Sequence, residues 1–207
     1  MNKSKFFASI LLFSICTIMF GTITVFAAVN FISDALWYKQ ERTNWCWAAV
    51  TETIIDKETS GFTKGSYKSR QERIVATAKG NIANVTGNTD DMIKAMKAIN
   101  SSAFRNSTWD YILGSSDFSK IMNEILNDDV VGVNLYNAKP PYYTGQSLKG
   151  HSTYAYWVDT SKNNILLGDP WSTNQYIDVY RDALLNTGIE CHAFPGIKVY
   201  GGIYLIY

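Results

Sequence analysis

The sequence predicts a two-layer α+β domain, in which a helical first half packs against an antiparallel β-sheet formed by the second half. Between residues 46 and 126, apolar residues recur at the three-to-four-residue spacing of amphipathic helices. From residue 130 onward, short runs rich in Val, Ile, Tyr and Trp alternate with turn residues, which is typical of strands. No internal repeat and no low-complexity tract interrupts this order.

The N-terminal segment has the pattern of a secretory signal. A short basic stretch, residues 1–5, precedes an apolar run over residues 6–26, and Val25 and Ala27 fit the small-residue pattern of a signal-peptidase site. We therefore expect cleavage after Ala27 and a secreted chain of residues 28–207. Because the run is longer than a usual signal core, an uncleaved membrane anchor is the alternative. Both interpretations put the remaining chain outside the cytoplasm.

The charge balance of the mature chain excludes two classes of partner. Without Lys3 and Lys5 the chain carries 17 basic and 18 acidic residues, which leaves no basic surface for nucleic acid or an anionic membrane. About 180 residues suit one domain with its own apolar core and no need of disulfides. We expect a monomer whose partner is its substrate, with no membrane contact beyond the N-terminal segment.

Each predicted helix has a start or stop signal. Ser69 with Glu72 gives a capping-box-like start to the second helix, and Gly80 closes it. Asn88 or Thr89 caps the third helix. The predicted helices are residues 46–55, 69–78, 90–99 and 117–126.

The strands of the second half are separated by turn and loop signals. Pro140 and Pro141 mark the loop after the first strand, and a polar turn over residues 159–164 joins the second strand to the third. A helical turn is predicted near residues 181–185. The predicted strands are residues 130–136, 151–158, 165–167, 176–180 and 198–207.

Cys46 is the first candidate for chemistry. Cys16 leaves with the signal, so the mature chain has only Cys46 and Cys191. At the start of a helix, free backbone N–H groups and the helix dipole favour a thiolate, which is the nucleophilic form of cysteine. The alternative is a structural disulfide between Cys46 and Cys191, which would make the protein a secreted, non-catalytic binding module.

The stretch from Gln40 to Ala49, which contains Trp45-Cys46-Trp47-Ala48-Ala49, resembles the active-site helix of papain-like cysteine peptidases. It is most similar to compact bacterial members, the bacteriocin-leader-peptidase-like proteins and related secreted effectors. The resemblance implies a papain-like fold, a helical half on an antiparallel sheet or half-barrel. It also implies that Gln40, six residues before Cys46, donates its side-chain amide to the oxyanion together with the Cys46 N–H. Plant-type members have a cysteine where this chain has Thr43, so their local disulfide is absent.

Two histidines could serve as the base. His151 follows Gly150 at the start of a predicted strand, where a small neighbour leaves room for substrate and the strand gives a rigid mount. Papain-like peptidases place their histidine in the same way. His192, beside Cys191 in a predicted loop, has no orienting acid or amide nearby in sequence, so His151 is the better candidate. Two cysteines and two histidines without ligand spacing predict no metal site.

Asp169 is the candidate for orienting the imidazole. It lies eighteen residues after His151, enough for one turn and a returning strand that brings both to the same end of the sheet. Compact bacterial relatives commonly have Asp-Pro here, as in Asp169-Pro170, although Asp-Pro is also an ordinary turn signal. The resemblance implies a peptidase that needs no cofactor. The same residues could serve a thiol amidase, acyltransferase or transpeptidase, since sites rather than folds set the substrate.

Overall fold

The computed structural model describes residues 29–32, 36–111, 115–136, 150–171, 176–180, 190–191, 194–198 and 202–206. Helices dominate the first part of this chain and strands the second. The helices are α1 (Cys46–Glu58), α2 (Arg70–Lys79), α3 (Thr89–Ile99) and α4 (Ser115–Leu126). The strands are β1 (Val29–Phe31), β2 (Thr108–Tyr111), β3 (Val131–Tyr136), β4 (Gly150–Asp159), β5 (Asn164–Gly168), β6 (Tyr176–Tyr180), β7 (Glu190–Cys191), β8 (Phe194–Lys198) and β9 (Gly202–Ile206).

The main sheet is antiparallel and has β4 near its centre. Its strand order is β2-β9-β3-β4-β5-β6, and β1 pairs with the far end of β4. On one side of β4, His151 lies opposite Leu135 of β3, and on the other side Tyr154 lies opposite Gly168 of β5. Because β4 and β5 form a hairpin, the start of β4 and the end of β5 lie at the same end of the sheet.

One apolar core joins the helices to the sheet. α1 packs on β3 and β4, and α4 packs on β4 and β1. Trp47 and Ile54 of α1 contribute to the same buried cluster as Val133 of β3 and Tyr154 of β4. The predicted two-layer α+β arrangement is therefore confirmed.

The helix caps follow from local sequence. The Ser69 side chain accepts a hydrogen bond from the Glu72 N–H, and Gly80 ends α2 with φ 77°, a left-handed conformation that glycine adopts readily. Asn88, rather than Thr89, caps α3, in a full capping box with Asp91. Cys46 is the first residue of α1, as the sequence predicts.

Several short strands differ from the predictions. β1, β2, β7 and β8 were not predicted, because strands of two to five residues carry little periodicity. The prediction of a loop at Cys191 is wrong, since this residue belongs to β7 and pairs with β8. The single predicted strand over residues 198–207 is also wrong, because β8 ends at Lys198 and β9 begins at Gly202.

Three predictions about the fold lie outside the described residues: the signal segment, residues 1–27, the loop marked by Pro140 and Pro141, and the helical turn near residues 181–185. Within the described ranges, no helix has both the length and the hydrophobicity to cross a membrane.

Candidate active site

Cys46 stands where α1 begins, and its thiol is free. The residue is partly exposed, whereas Trp45 and Trp47 on either side of it are fully buried. The first N–H groups of α1 have no partners inside the helix. These donors and the positive end of the helix dipole therefore lie at the end of α1 that carries the Cys46 thiol. The two buried tryptophans thus anchor the helix start at which the partly exposed Cys46 lies.

His151 is the second residue of β4 and is buried, with 2% of its surface exposed. Its Nε2 atom lies 2.8 Å from Oδ1 of Asp169. A carboxylate accepts the Nε2–H proton, so in the neutral tautomer Nδ1 is the unprotonated nitrogen. Within the described part of the chain, buried Nδ1 makes no hydrogen bond of standard geometry, and it is the ring nitrogen left for Cys46.

Asp169 directly follows β5 and is also buried, with 2% exposed. Its Oδ1 accepts a second hydrogen bond from the Trp171 N–H at 2.8 Å. Gly168 precedes it, and a Cβ on Gly168 would lie 2.2 Å from the Tyr154 ring, so only glycine fits there. This close contact between β4 and β5 sets the position of the carboxylate, and the predicted meeting of residues 151 and 169 at one end of the sheet is observed.

The electrostatics of Cys46 and His151 favour an ion pair. Burial alone would lower the pKa of His151, but the charge and hydrogen bond of Asp169, with a smaller contribution from Cys46, raise this pKa to about 10. Burial raises the pKa of Cys46, but the interactions with His151 and Ser152 together outweigh it, so the pKa of the thiol is lowered. Each group therefore shifts the pKa of the other in the direction that favours a thiolate–imidazolium pair.

Ser152 is a site residue that the sequence analysis missed. Interactions of its backbone and its side chain with the Cys46 thiol help to lower the thiol pKa. The residue follows His151 in β4 and is 5% exposed. A serine in a strand carries no pattern of its own, and its position after a candidate base is the only signal that could have found it.

A cleft of about 360 Å³ opens beside the thiol. Its lining comes from α1, β3, β4 and the segment before α3, and includes Trp47, Gly87, Asn134 and Gly150. Apart from Cys46 and His151, the lining residues in the described part of the chain are all uncharged. This described part of the lining therefore adds no fixed charge beside the Cys46 and His151 side chains.

The segment of residues 83–88, of which residues 86–88 form one wall of this cleft, is fastened to the start of α1. The indole N–H groups of Trp45 and Trp47 donate to the carbonyls of Ala83 at 3.0 Å and Val85 at 3.2 Å. A Cβ on Gly87 would lie 2.3 Å from the Trp47 ring, so the backbone at Gly87 packs directly against the indole. The residues flanking the nucleophile thus also build the cleft, which their sequence spacing did not reveal.

Gln40 lies in a turn beside the Asp169 segment and is 8% exposed. Its backbone N–H donates to the Pro170 carbonyl at 2.7 Å. Its Nε2 atom donates to the carbonyls of Arg42 at 2.9 Å and Thr43 at 3.0 Å, within its own turn. The structure brings Cys46, His151 and Asp169 together, whereas the Gln40 amide is engaged elsewhere, and its role at the oxyanion stays a prediction.

For the remaining candidates the structure describes no side-chain position. His192 lies outside the described residues, and for Cys191 only the backbone in β7 is described. Among the residues that are described, no three His, Cys, Asp or Glu side chains come together as metal ligands.

Comparison with known proteins finds similarity among solved structures. No protein-family model matches the chain, and no curated protein matches it in sequence. The crystal structure of xylellain, a cysteine protease from Xylella fastidiosa, is similar with a TM-score of 0.49 at 11% sequence identity, over 86% of this chain and 85% of that chain.

Proposed function

We propose that the protein is a papain-like cysteine peptidase in which Cys46 is the nucleophile, His151 the acid and base, and Asp169 the group that orients His151. One observation carries this proposal. The Nε2 atom of the buried His151 ring lies 2.8 Å from Oδ1 of Asp169, which leaves Nδ1 to interact with the Cys46 thiol, whose pKa is lowered. That arrangement activates a thiol for attack on a carbonyl carbon.

Acylation follows from these positions. The Cys46 thiolate attacks the carbonyl carbon of a peptide, a C–S bond forms, and the carbonyl oxygen becomes an oxyanion. The N–H of Cys46 donates to that oxygen, and Gln40 joins it if its Nε2 releases one of the two turn carbonyls. The His151 imidazolium then passes its Nδ1 proton to the amine nitrogen, the C–N bond breaks, and the amine leaves behind a thioester on Cys46.

Deacylation uses the same groups in reverse. Neutral His151 takes a proton from water through Nδ1 while the water oxygen attacks the thioester carbon. The C–S bond then breaks, the carboxylic acid leaves, and the thiolate–imidazolium pair is restored. Asp169 keeps its charge throughout and holds the ring in the tautomer that presents Nδ1.

We also propose that the enzyme acts outside the cytoplasm after removal of residues 1–27, as the N-terminal pattern indicates. The mass of the mature chain recovered from an exporting host tests this directly. A chain beginning at Ala28 is expected, whereas a chain retaining the apolar run would favour the membrane anchor.

The decisive experiment compares the mature chain with Cys46→Ala on a library of peptides, with purified peptidoglycan offered in parallel. We expect the wild type to cleave peptides and to lose activity after treatment with iodoacetamide, and Cys46→Ala to be inactive. Cleavage retained by Cys46→Ala would disprove the nucleophile. If the wild type acts on peptidoglycan but cleaves no peptide, the same catalytic residues would belong to a cell-wall amidase or transpeptidase and not to a peptidase.

A further inference from the structure

We propose that Gln71, on α2, is a positioning residue that holds the backbone on both sides of Gln40 and so sets the oxyanion side of the active site. This inference rests on the proposed function, because it concerns the group that meets the oxyanion. Gln71 is distant in sequence from every candidate catalytic residue, and no motif singles it out.

The side-chain amide of Gln71 brackets Gln40. Gln71 is 1% exposed. Its Oε1 accepts a hydrogen bond from the Glu41 N–H at 3.0 Å, and its Nε2 donates to the Lys39 carbonyl at 2.8 Å. One buried side chain therefore fixes the residue before Gln40 and the residue after it.

A third hydrogen bond ties the same segment to the sheet side of the site. The Gln40 N–H donates to the Pro170 carbonyl at 2.7 Å, one residue after Asp169. The backbone of residues 39–41 is thus held from α2 by Gln71 and from the end of β5 by Pro170. Of these two backbone contacts, the one from Gln71 is made by a side chain, so a substitution can remove it. The Ser69 hydroxyl also donates to Glu41 Oε2 at 2.6 Å, but that bond holds the side chain of Glu41 and not its backbone.

Glu52 determines which way the Gln71 amide points. The Gln71 Nε2 donates to Glu52 Oε2 at 3.0 Å, and Glu52 Oε1 lies 2.8 Å from Nε of Arg70. A carboxylate paired with a guanidinium only accepts, so the NH₂ end of the amide must face Glu52 and the oxygen end must face the Glu41 N–H. With its three contacts made, the Gln71 amide has a single orientation.

The effect on catalysis passes through Gln40. Its Nε2 must leave a turn carbonyl and reach the oxyanion without displacing the backbone from which the side chain extends. Misplacement of a donor by about 1 Å is enough to lower a rate strongly. Because the oxyanion exists only along the reaction path, a loosened segment should lower kcat and leave KM nearly unchanged.

The test variant is Gln71→Met, which keeps the side-chain volume and removes all three hydrogen bonds. The matched control is Ile74→Val, because Ile74 is fully buried on the same helix. We expect the kcat of Gln71→Met to fall by about tenfold or more. Loss of a whole oxyanion donor, which costs roughly 10²- to 10³-fold, sets the upper limit. KM and the rate of Cys46 alkylation should stay within about twofold of the wild type, and Ile74→Val should keep its kcat. If Gln71→Met does not fold, Gln71→Asn, a polar side chain one methylene too short to reach all three partners, takes its place with the same criteria.

A double variant separates positioning from a general structural effect. In a Gln40→Ala background, Gln71→Met should change kcat by less than about twofold, because the group through which it acts is gone. A wild-type kcat in Gln71→Met, or a full additional loss in the Gln40→Ala background, would overturn the inference.

Amide hydrogen exchange at Glu41 keeps this inference separate from the proposed function. If the wild type cleaves no acyl substrate, the proposed function fails, and exchange still reports whether Gln71 holds the segment. Faster exchange at Glu41 in Gln71→Met than in Ile74→Val supports the contact, and equal protection in the two variants refutes it.

Discussion

The helix side and the sheet side of the active site hold their reactive groups in different ways. On the helix side, Cys46 is partly exposed at the first residue of α1 and can meet a substrate. On the sheet side, His151 and Asp169 are each 2% exposed. Charges excluded from water interact more strongly, so the buried pair can act on the partly exposed Cys46 without being screened. The helical layer thus supplies the partly exposed nucleophile, and the sheet layer supplies the buried groups that activate it.

The largest effect that this comparison predicts is at the carboxylate. Asp169→Ala removes the charge and the acceptor of His151, and we expect activity to fall about 10²-fold or more. Asp169→Asn should fall less, about tenfold, because the Trp171 N–H holds an oxygen in place and keeps an acceptor towards Nε2. Steady-state kinetics of both variants over pH 5 to 10 measure this.

The pH dependence of the Asp169 variants sharpens the same point. Without the Asp169 charge the pKa of His151 falls, because burial is then opposed only by Cys46. The alkaline limb of the profile should therefore move to lower pH in Asp169→Asn. An unmoved alkaline limb would show that the carboxylate does not set the charge of the imidazole.

The next effect concerns the fit that places the carboxylate. In Gly168→Ala the new Cβ meets the buried Tyr154 ring, so we expect the free energy of unfolding to fall by about 2 kcal/mol. Gly150→Ala is the matched control, since its nearest neighbour, the Leu135 carbonyl oxygen, lies at an ordinary 3.8 Å. Urea unfolding of the two variants makes the comparison, and equal midpoints would contradict a tight contact between β4 and β5.

The smallest effect belongs to the helix side. Ser69→Ala removes the cap of α2, the helix that carries Gln71, and should lower the free energy of unfolding by about 1 kcal/mol. Ser66→Ala, at an exposed position in the preceding turn, should change it very little. Thermal unfolding of both is sufficient, and a cap variant as stable as its control would mean that α2 begins elsewhere.

What the sequence predicts well is what short-range chemistry determines. The Asn88 and Ser69 caps, the position of Cys46 at a helix start and the hairpin that joins residues 151 and 169 follow from nearby residues. β1 was missed because its three residues are stabilised by pairing with the distant end of β4. The same holds for β2, whose partner β9 lies almost a hundred residues away.

The site shows the same division. Cys46, His151 and Asp169 could be proposed from their residue types and spacing. The bonds of Gln40 to Arg42 and Thr43, and the bracket formed by Gln71, depend on how the chain turns and on which helix lies behind it. The attachment of residues 83–88 to the two tryptophans crosses about forty residues of chain, and single-sequence patterns do not carry such contacts.

If His151 holds Cys46 as a thiolate, the pH dependence of Cys46 alkylation by iodoacetamide must change when the imidazole is removed. The reaction should be followed on the Cys46 peptide by mass spectrometry, so that Cys191 does not contribute. In the wild type the rate should reach half its maximum clearly below about pH 8.5, the ordinary pKa of a thiol, and in His151→Ala the midpoint should move up to that value or beyond. An identical midpoint in both proteins would contradict the ion pair.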